Sequence, residues 1–166
     1  IQRFLGYDMV RVGTAEMQFP MLFKQADDTR KKQISTLNRN WIVNAGGMIK
    51  TWADFENYPW PNPAEMNTQD LEWLEKNLPE DMAGYALTAH ILEQPSWLMG
   101  YETLYTLIYD DPALVDAVFE KCGQIYLEHA KLLSQFSRIG VIWGSDDMGF
   151  RTGTLLSPEM LRKWVL

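Results

Sequence analysis

The 166-residue chain carries 15 Lys and Arg against 22 Asp and Glu, a net charge of −7, with 46% hydrophobic and 22% charged residues. Those fractions belong to a globular domain and exclude intrinsic disorder and collagen-like or coiled-coil fibres. The acidic balance, with a pI near 4.8, argues against a nucleic-acid partner, which clustered cations would have to neutralise. No apolar stretch approaches the ~18–20 residues that span a bilayer, and no charged-then-apolar leader opens the chain. The expectation is a soluble cytoplasmic protein without membrane or nucleic-acid partners. The single cysteine, Cys122, cannot form an intrachain disulfide. No repeat, low-complexity tract or Ser/Gly linker divides residues 1–166, so they read as one domain.

In chain order, Ile1 to Leu5 reads as the tail of a helix closed by Gly6, followed by a short strand over Met9-Val10-Arg11-Val12. Residues 24–40 form a polar run with Lys24, Arg30, Lys31, Lys32 and Arg39, expected to be a solvated face. Two apolar stretches, Trp41 to Asn44 and Met48 to Thr51, flank Ala45-Gly46-Gly47 and predict a hairpin turned at the glycines. The prolines of Tyr58 to Pro63 predict a rigid, non-helical loop.

The second half alternates strands and helices. Asn67 or Thr68 caps a predicted helix through Leu71, Leu74 and Leu78, with Asp70 and Glu72 in its first turn and Pro79 ending it. Ala83 to Ala89 predicts a strand covered on both sides, with His90 near its C-terminal end. Trp97 to Ile108 has helical spacing. The clearest helix follows, with Asp111 as N-cap, Pro112 at its first position and apolar residues from Leu114 to Phe136 recurring at three and four. Cys122 lies on its apolar stripe and His129 at the stripe's edge. Ile139 to Trp143 is the next strand, Gly144 to Leu156 a loop, and Ser157-Pro158-Glu159 starts a last helix that is still running at Leu166. Strand, helix, strand, helix is the pattern of parallel β/α units, whose chemistry sits beyond the C-terminal ends of the strands. That rule selects His90 to Gln94 and Ser145 to Thr154.

In the second of these loops, Asp146 and Asp147 can accept hydrogen bonds from a substrate, hold a cation or act as a base. The same residues can also pair with Arg151 or cap backbone amides, because Asp and Gly are common turn formers. Gly149 to Gly153 lacks the spacing and Lys of a phosphate-binding loop. In the first loop, His90 is a candidate base or metal ligand with Glu93 beside it, against the alternative of a structural histidine. One His and one Glu are too few for a zinc site, and no HExxH, HxxEH or CxxC pattern occurs, so no metal ligands are assigned. The 13% aromatic content places Trp41, Trp52, Tyr58, Trp60 and Trp97 in loop-like contexts. They would line a pocket for a large flat ligand or, more ordinarily, pack together.

The segment from Gly144 to Leu166, GSDDMGFRTGTLLSPEMLRKWVL, resembles the middle of the uroporphyrinogen decarboxylase superfamily, which carries a DD.G loop before an SPE helix. Phe4 to Asp8 (FLGYD), Leu98 to Glu102 (LMGYE) and Tyr109 to Val115 (YDDPALV) extend the likeness over most of the chain. The resemblance implies an α/β fold in which these residues form the central, incomplete portion of a (β/α)8 barrel, shorter than the ~250 residues of a closed one. An incomplete barrel is expected to leave strand edges exposed, and to be unstable or to associate through them.

The superfamily contains cofactor-independent decarboxylases of uroporphyrinogen and methylcobamide methyltransferases that use zinc to activate a thiol. The decarboxylase's essential Asp would fall within Gly13-Thr14-Ala15-Glu16, where no Asp stands; its pocket tyrosine would fall near Ser96 and its pocket serine at Asp146. Asp146 and Asp147 would also repel a highly carboxylated substrate. These departures favour the methyltransferase branch. On that reading Asp146 and Asp147 are the catalytic candidates, and His90, Glu93, Ser96 and Arg151 contact a small-molecule substrate. No cofactor is assigned within this segment; zinc and a corrinoid are expected for the complete chain, with a corrinoid protein as partner and a homodimer as assembly. The alternatives are a decarboxylase in which Glu16 replaces the missing Asp, and a non-catalytic barrel that binds a tetrapyrrole or a carrier protein.

Overall fold

The computed structural model describes residues 2–12, 19–21, 23–25, 40–42, 47–88 and 90–166, with backbone alone at 23–25 and 40–42. Its centre is a three-stranded parallel sheet of β1 (Met9–Val12), β4 (Ala83–Thr88) and β5 (Ile139–Gly144), with β4 in the middle. Between β1 and β4 lie the antiparallel pair β2 (Phe23–Gln25) and β3 (Asn40–Ile42), helix α1 (Trp52–Asn57) and helix α2 (Gln69–Asn77). Helices α3 (Glu93–Met99), α4 (Tyr101–Asp110) and α5 (Pro112–Leu133) connect β4 to β5. The hairpin strands β6 (Gly149–Phe150) and β7 (Gly153–Thr154) then lead to α6 (Pro158–Trp164). The parallel β/α order read from the second half is therefore present.

The two faces of the sheet differ. Val12, Ala86 and Leu133 form a buried cluster with Leu71 and Leu74 of α2, so α2 and the end of α5 cover one face. The other face is open, and Tyr7, Met9, Arg11, Tyr85, Val141 and Trp143 line a groove of about 660 Å³ on it. The expectation that β4 is covered on both sides is corrected: its residues alternate half-buried and buried, because side chains point to opposite faces and, among the described residues, helices pack on only one. Among the described residues β1 and β5 are the sheet's edges, and Val141, Ile142 and Trp143 of β5 are exposed. A larger core lies among α3, α4, α5 and α6, where Leu98, Met99, Leu104, Leu114, Val115 and Val118 are almost fully buried.

Local capping chemistry explains the elements that were readable. Asp111 accepts from the Leu114 amide with Pro112 at the first position of α5, and Ser157 accepts from the Met160 amide at the start of α6. Gly6, at φ 82°, closes a 3-10 turn over Arg3–Leu5, a conformation costly for any residue with a Cβ.

Several expectations are corrected. The strand expected at 48–51 is not present, and β3 (Asn40–Ile42) pairs with β2; the remainder of that predicted hairpin, residues 43–46, lies outside the described residues. The segment after it docks on the end of α3, where the Gly47 amide donates to Met99 O (2.9 Å) and the Ile49 amide to Leu98 O (3.0 Å). A Cβ at Gly47 would sit 2.0 Å from the Leu98 carbonyl oxygen, so this glycine serves close backbone approach. Thr51 then caps α1 in a capping box with Asp54, whose carboxyl is held below its usual range by the Lys50 amide and Thr51.

The apolar run from Trp97 to Ile108 is split between α3 and α4 at Gly100, whose φ of 75° and ψ of 139° are not helical. Helix α5 stops at Leu133, before Phe136. The 144–156 loop contains the β6–β7 hairpin, and Pro63 opens a 3-10 turn capped by Asn62. Helix α6 ends at Trp164, where the Leu161 carbonyl accepts from the amides of Val165 and Leu166. Apart from Lys24 in β2 the cations of the polar run, Arg30, Lys31, Lys32 and Arg39, lie outside the described residues. No helix among the described residues is long and apolar enough to cross a membrane.

Candidate functional site

The two loops selected by strand position meet. After β4 the chain passes through His90 and Ile91 into α3, whose N-cap, Leu92, has no side chain able to satisfy the helix's first amides. Asp146, two residues beyond β5, fills that role. Its Oδ2 accepts from the Leu92 amide at 2.7 Å and its Oδ1 from the Glu93 amide at 3.0 Å. A carboxylate on orphan N-terminal amides is favoured by both the hydrogen bonds and the helix dipole.

This docking carries Asp146 to the His90–Glu93 pair. His90 Nδ1 lies 3.0 Å from Glu93 Oε2, and a donor atom from each of His90, Glu93 and Asp146 falls within 4.8 Å of the others, all three residues half-buried. The third donor that sequence spacing could not supply thus comes from a loop more than fifty residues away. Trp97 packs against the His90 ring at 5.5 Å. Tyr101, on the first turn of α4, is half-buried, and burial together with the negative charges of Glu93 and Asp147 pushes its phenol upward. Tyr101 is the site-adjacent residue that sequence reasoning missed: it lies in the LMGYE stretch of the superfamily likeness, but no local pattern gave it a role.

The remaining predicted site residues are placed differently. Asp147 is exposed and its Oδ1 accepts from the Gly149 amide at 3.3 Å, the turn-forming arrangement. Arg151 is exposed at the tip of the β6–β7 hairpin and forms no ion pair with Asp146 or Asp147 among the described residues. Ser96 is buried inside α3, its hydroxyl donating to Leu92 O at 2.7 Å. Glu16 and the Gly13–Ala15 stretch lie outside the described residues.

Of the aromatic candidates, Tyr58 and Trp60 stack edge to face at 4.6 Å, and Phe55 and Phe19 join Trp60. Tyr58 Oη donates to Pro20 O, Trp60 Nε1 to Phe55 O and Trp52 Nε1 to Asp111 Oδ2. These rings pack on one another and have their polar atoms satisfied. The side chain of Trp41 lies outside the described residues.

Two buried groups behind the sheet are not where the site is. Cys122 is fully buried in the α5 core, and burial pushes its thiol well up, leaving it a neutral core side chain. His129 is a correction: it is 1% exposed rather than at the stripe's edge. Its Nδ1 is 2.9 Å from Thr88 Oγ1, while Nε2 has no partner among the described residues. Burial lowers its pKa and keeps the imidazole neutral.

No protein-family model and no curated protein matches the sequence. A solved structure, a methyltransferase from Methanosarcina mazei, matches at a TM-score of 0.56 and 13% identity. The match covers 99% of this chain but 47% of the methyltransferase, so this chain spans about half of that protein's length. The mixed α/β arrangement, with its three-stranded parallel sheet, is therefore shared with that methyltransferase.

Proposed function

We propose that the chain is part of a methyltransferase-like enzyme of the uroporphyrinogen decarboxylase superfamily, built on a (β/α)8-type barrel, with its reactive end beyond the C-terminal ends of β4 and β5. The observation that carries this reading is the fold shared with a methyltransferase over 99% of the chain. The convergence of His90, Glu93 and Asp146 at those strand ends supports it, because β/α folds concentrate their chemistry there.

In this reading a corrinoid carrier supplies the methyl group, and a small acceptor receives it. The superfamily resemblance places the thiolate zinc ligands beyond Leu166, and the described residues supply no accessible thiolate, since Cys122 is fully buried in the core. No step is drawn through such a zinc. The chain's own contribution is positional. Asp146 holds the start of α3, which fixes His90 and Glu93 toward the strand ends. Asp147 presents an exposed carboxylate that binds the polar end of the acceptor, and the neutral Tyr101 phenol offers a hydrogen-bond donor nearby.

The test is methyl transfer from methylcobalamin to a thiol by the complete protein, followed by the cobalt absorbance change and the methylated product. Asp147→Asn is expected to lower kcat/KM by roughly ten- to hundredfold, the scale of a lost hydrogen bond to a charged group. A complete protein that binds methylcobalamin without turnover would be a carrier-binding barrel and would end the enzymatic reading.

A further inference from the structure

We propose that His90, Glu93 and Asp146 bind one divalent first-row transition-metal ion, through one imidazole and two carboxylates at the junction of the β4–α3 and β5–β6 loops. The site is distinct from a thiolate zinc centre and requires no residue other than these three from the described chain. The donors meet within 4.8 Å of one another. Ligand atoms around a tetrahedral ion bound at about 2.0–2.2 Å stand about 3.3–3.6 Å apart, so the side chains must close by about an ångström to coordinate one ion.

Lone pairs remain available. Each carboxylate oxygen carries two acceptor positions, so Asp146 can hold the amides of Leu92 and Glu93 and still face a cation. Among the described residues, no hydrogen bond goes to His90 Nε2 or Glu93 Oε1 beyond the single Nδ1–Oε2 contact. No Lys or Arg among the described residues forms an ion pair with Glu93 or Asp146; Asp146 is balanced by the two α3 amides, and Glu93 only by His90, which is a cation only when protonated. A divalent ion would add a permanent positive charge between the two carboxylates.

The donor set also selects the class of ion. Imidazole suits zinc, copper, iron and nickel, whereas magnesium, calcium and manganese prefer all-oxygen shells. Three protein ligands leave coordination positions open for water or an acceptor, as in catalytic rather than structural sites. Metal binding can fail while methyl transfer holds, and can hold while methyl transfer fails, because the two are read separately.

The experiment strips the purified protein with a chelator and titrates it with Co2+, reading d–d absorbance and, after dialysis, metal content. One equivalent is expected to bind, to be displaced by Zn2+, and to resist an excess of Mg2+. His90→Ala and Glu93→Gln should each weaken binding on the order of tenfold or more with an unchanged far-UV spectrum. Asp146→Asn should weaken it too, but that residue also caps α3, so the two other variants decide the matter. Sub-stoichiometric Co2+, Mg2+ binding as tight as Co2+, or binding indifferent to both His90→Ala and Glu93→Gln would overturn the proposal.

Discussion

The two faces of the β1–β4–β5 sheet use the same strands and have opposite fates. On one face Val12 and Ala86 meet Leu71, Leu74 and Leu133 and are sealed. On the other, Tyr85, Val141 and Trp143 line an open groove, with Trp143 57% exposed. Apart from Arg11, the side chains named on both faces are apolar or aromatic, so composition hardly separates them. What separates them is that α2 and α5 lie on one side only. Parallel sheets ordinarily have both faces covered, so the open face is the least protected part of the sheet among the described residues.

The largest expected contrast is between deletions on the two faces. Leu133→Ala should cost about 2–5 kcal/mol, the range for truncating a fully buried leucine, measured as a shift in urea midpoint at constant slope. A cost near zero would mean that α5 does not seat on the sheet as described. Next in size is Asp146→Asn, which removes the charge from two amide contacts at the sheet's C-terminal end. Its expected cost is about 1.5–3 kcal/mol, the scale of hydrogen bonds to charged groups, with hydrogen exchange rising at Leu92 and Glu93.

A smaller effect, also on the covered side, is set by pH. His129 sits against Thr88 under β4, and burial lowers its pKa from the ordinary histidine value of about 6.5. Below that value the unfolded chain takes up a proton that the folded chain refuses. Stability is therefore fully present above about pH 6.5 and is lost as pH falls from there toward the depressed folded pKa. Urea midpoints at pH 7 and pH 5 should differ in that direction, and His129→Gln should flatten the difference. The smallest effect belongs to the open face: Trp143→Ala should stay within about 0.5 kcal/mol, as for exposed substitutions generally. A cost above about 2 kcal/mol would show that something covers this face in solution, and sedimentation would tell whether it is a second copy.

How much could be read in advance depended on distance along the chain. Helices α5 and α6 were legible because their caps, Asp111-Pro112 and Ser157-Pro158, act within one turn. The strands β1 and β5 were legible as short apolar runs between breakers. The break at Gly100 was visible as a glycine, yet the apolar spacing across it continued as though the helix did. His129 was misjudged although it stands four residues from both Ile125 and Leu133. A polar residue on such a row is buried when a partner such as Thr88 waits there, and that partner lies 41 positions away. The predicted hairpin failed for the related reason that Gly47 and Ile49 found better acceptors on α3.

The sequence by itself determined the parallel β/α order, the capped helices and the two loops at strand ends where His90, Glu93, Asp146 and Asp147 sit, because these follow from local capping and periodicity. Tertiary structure alone decided which of those residues meet. It brought Asp146 to His90 and Glu93, sent Asp147 and Arg151 to the surface, enclosed Ser96 within α3 and left one sheet face open. Contacts across more than fifty residues arise from how strands pair and helices pack, and no local pattern encodes them.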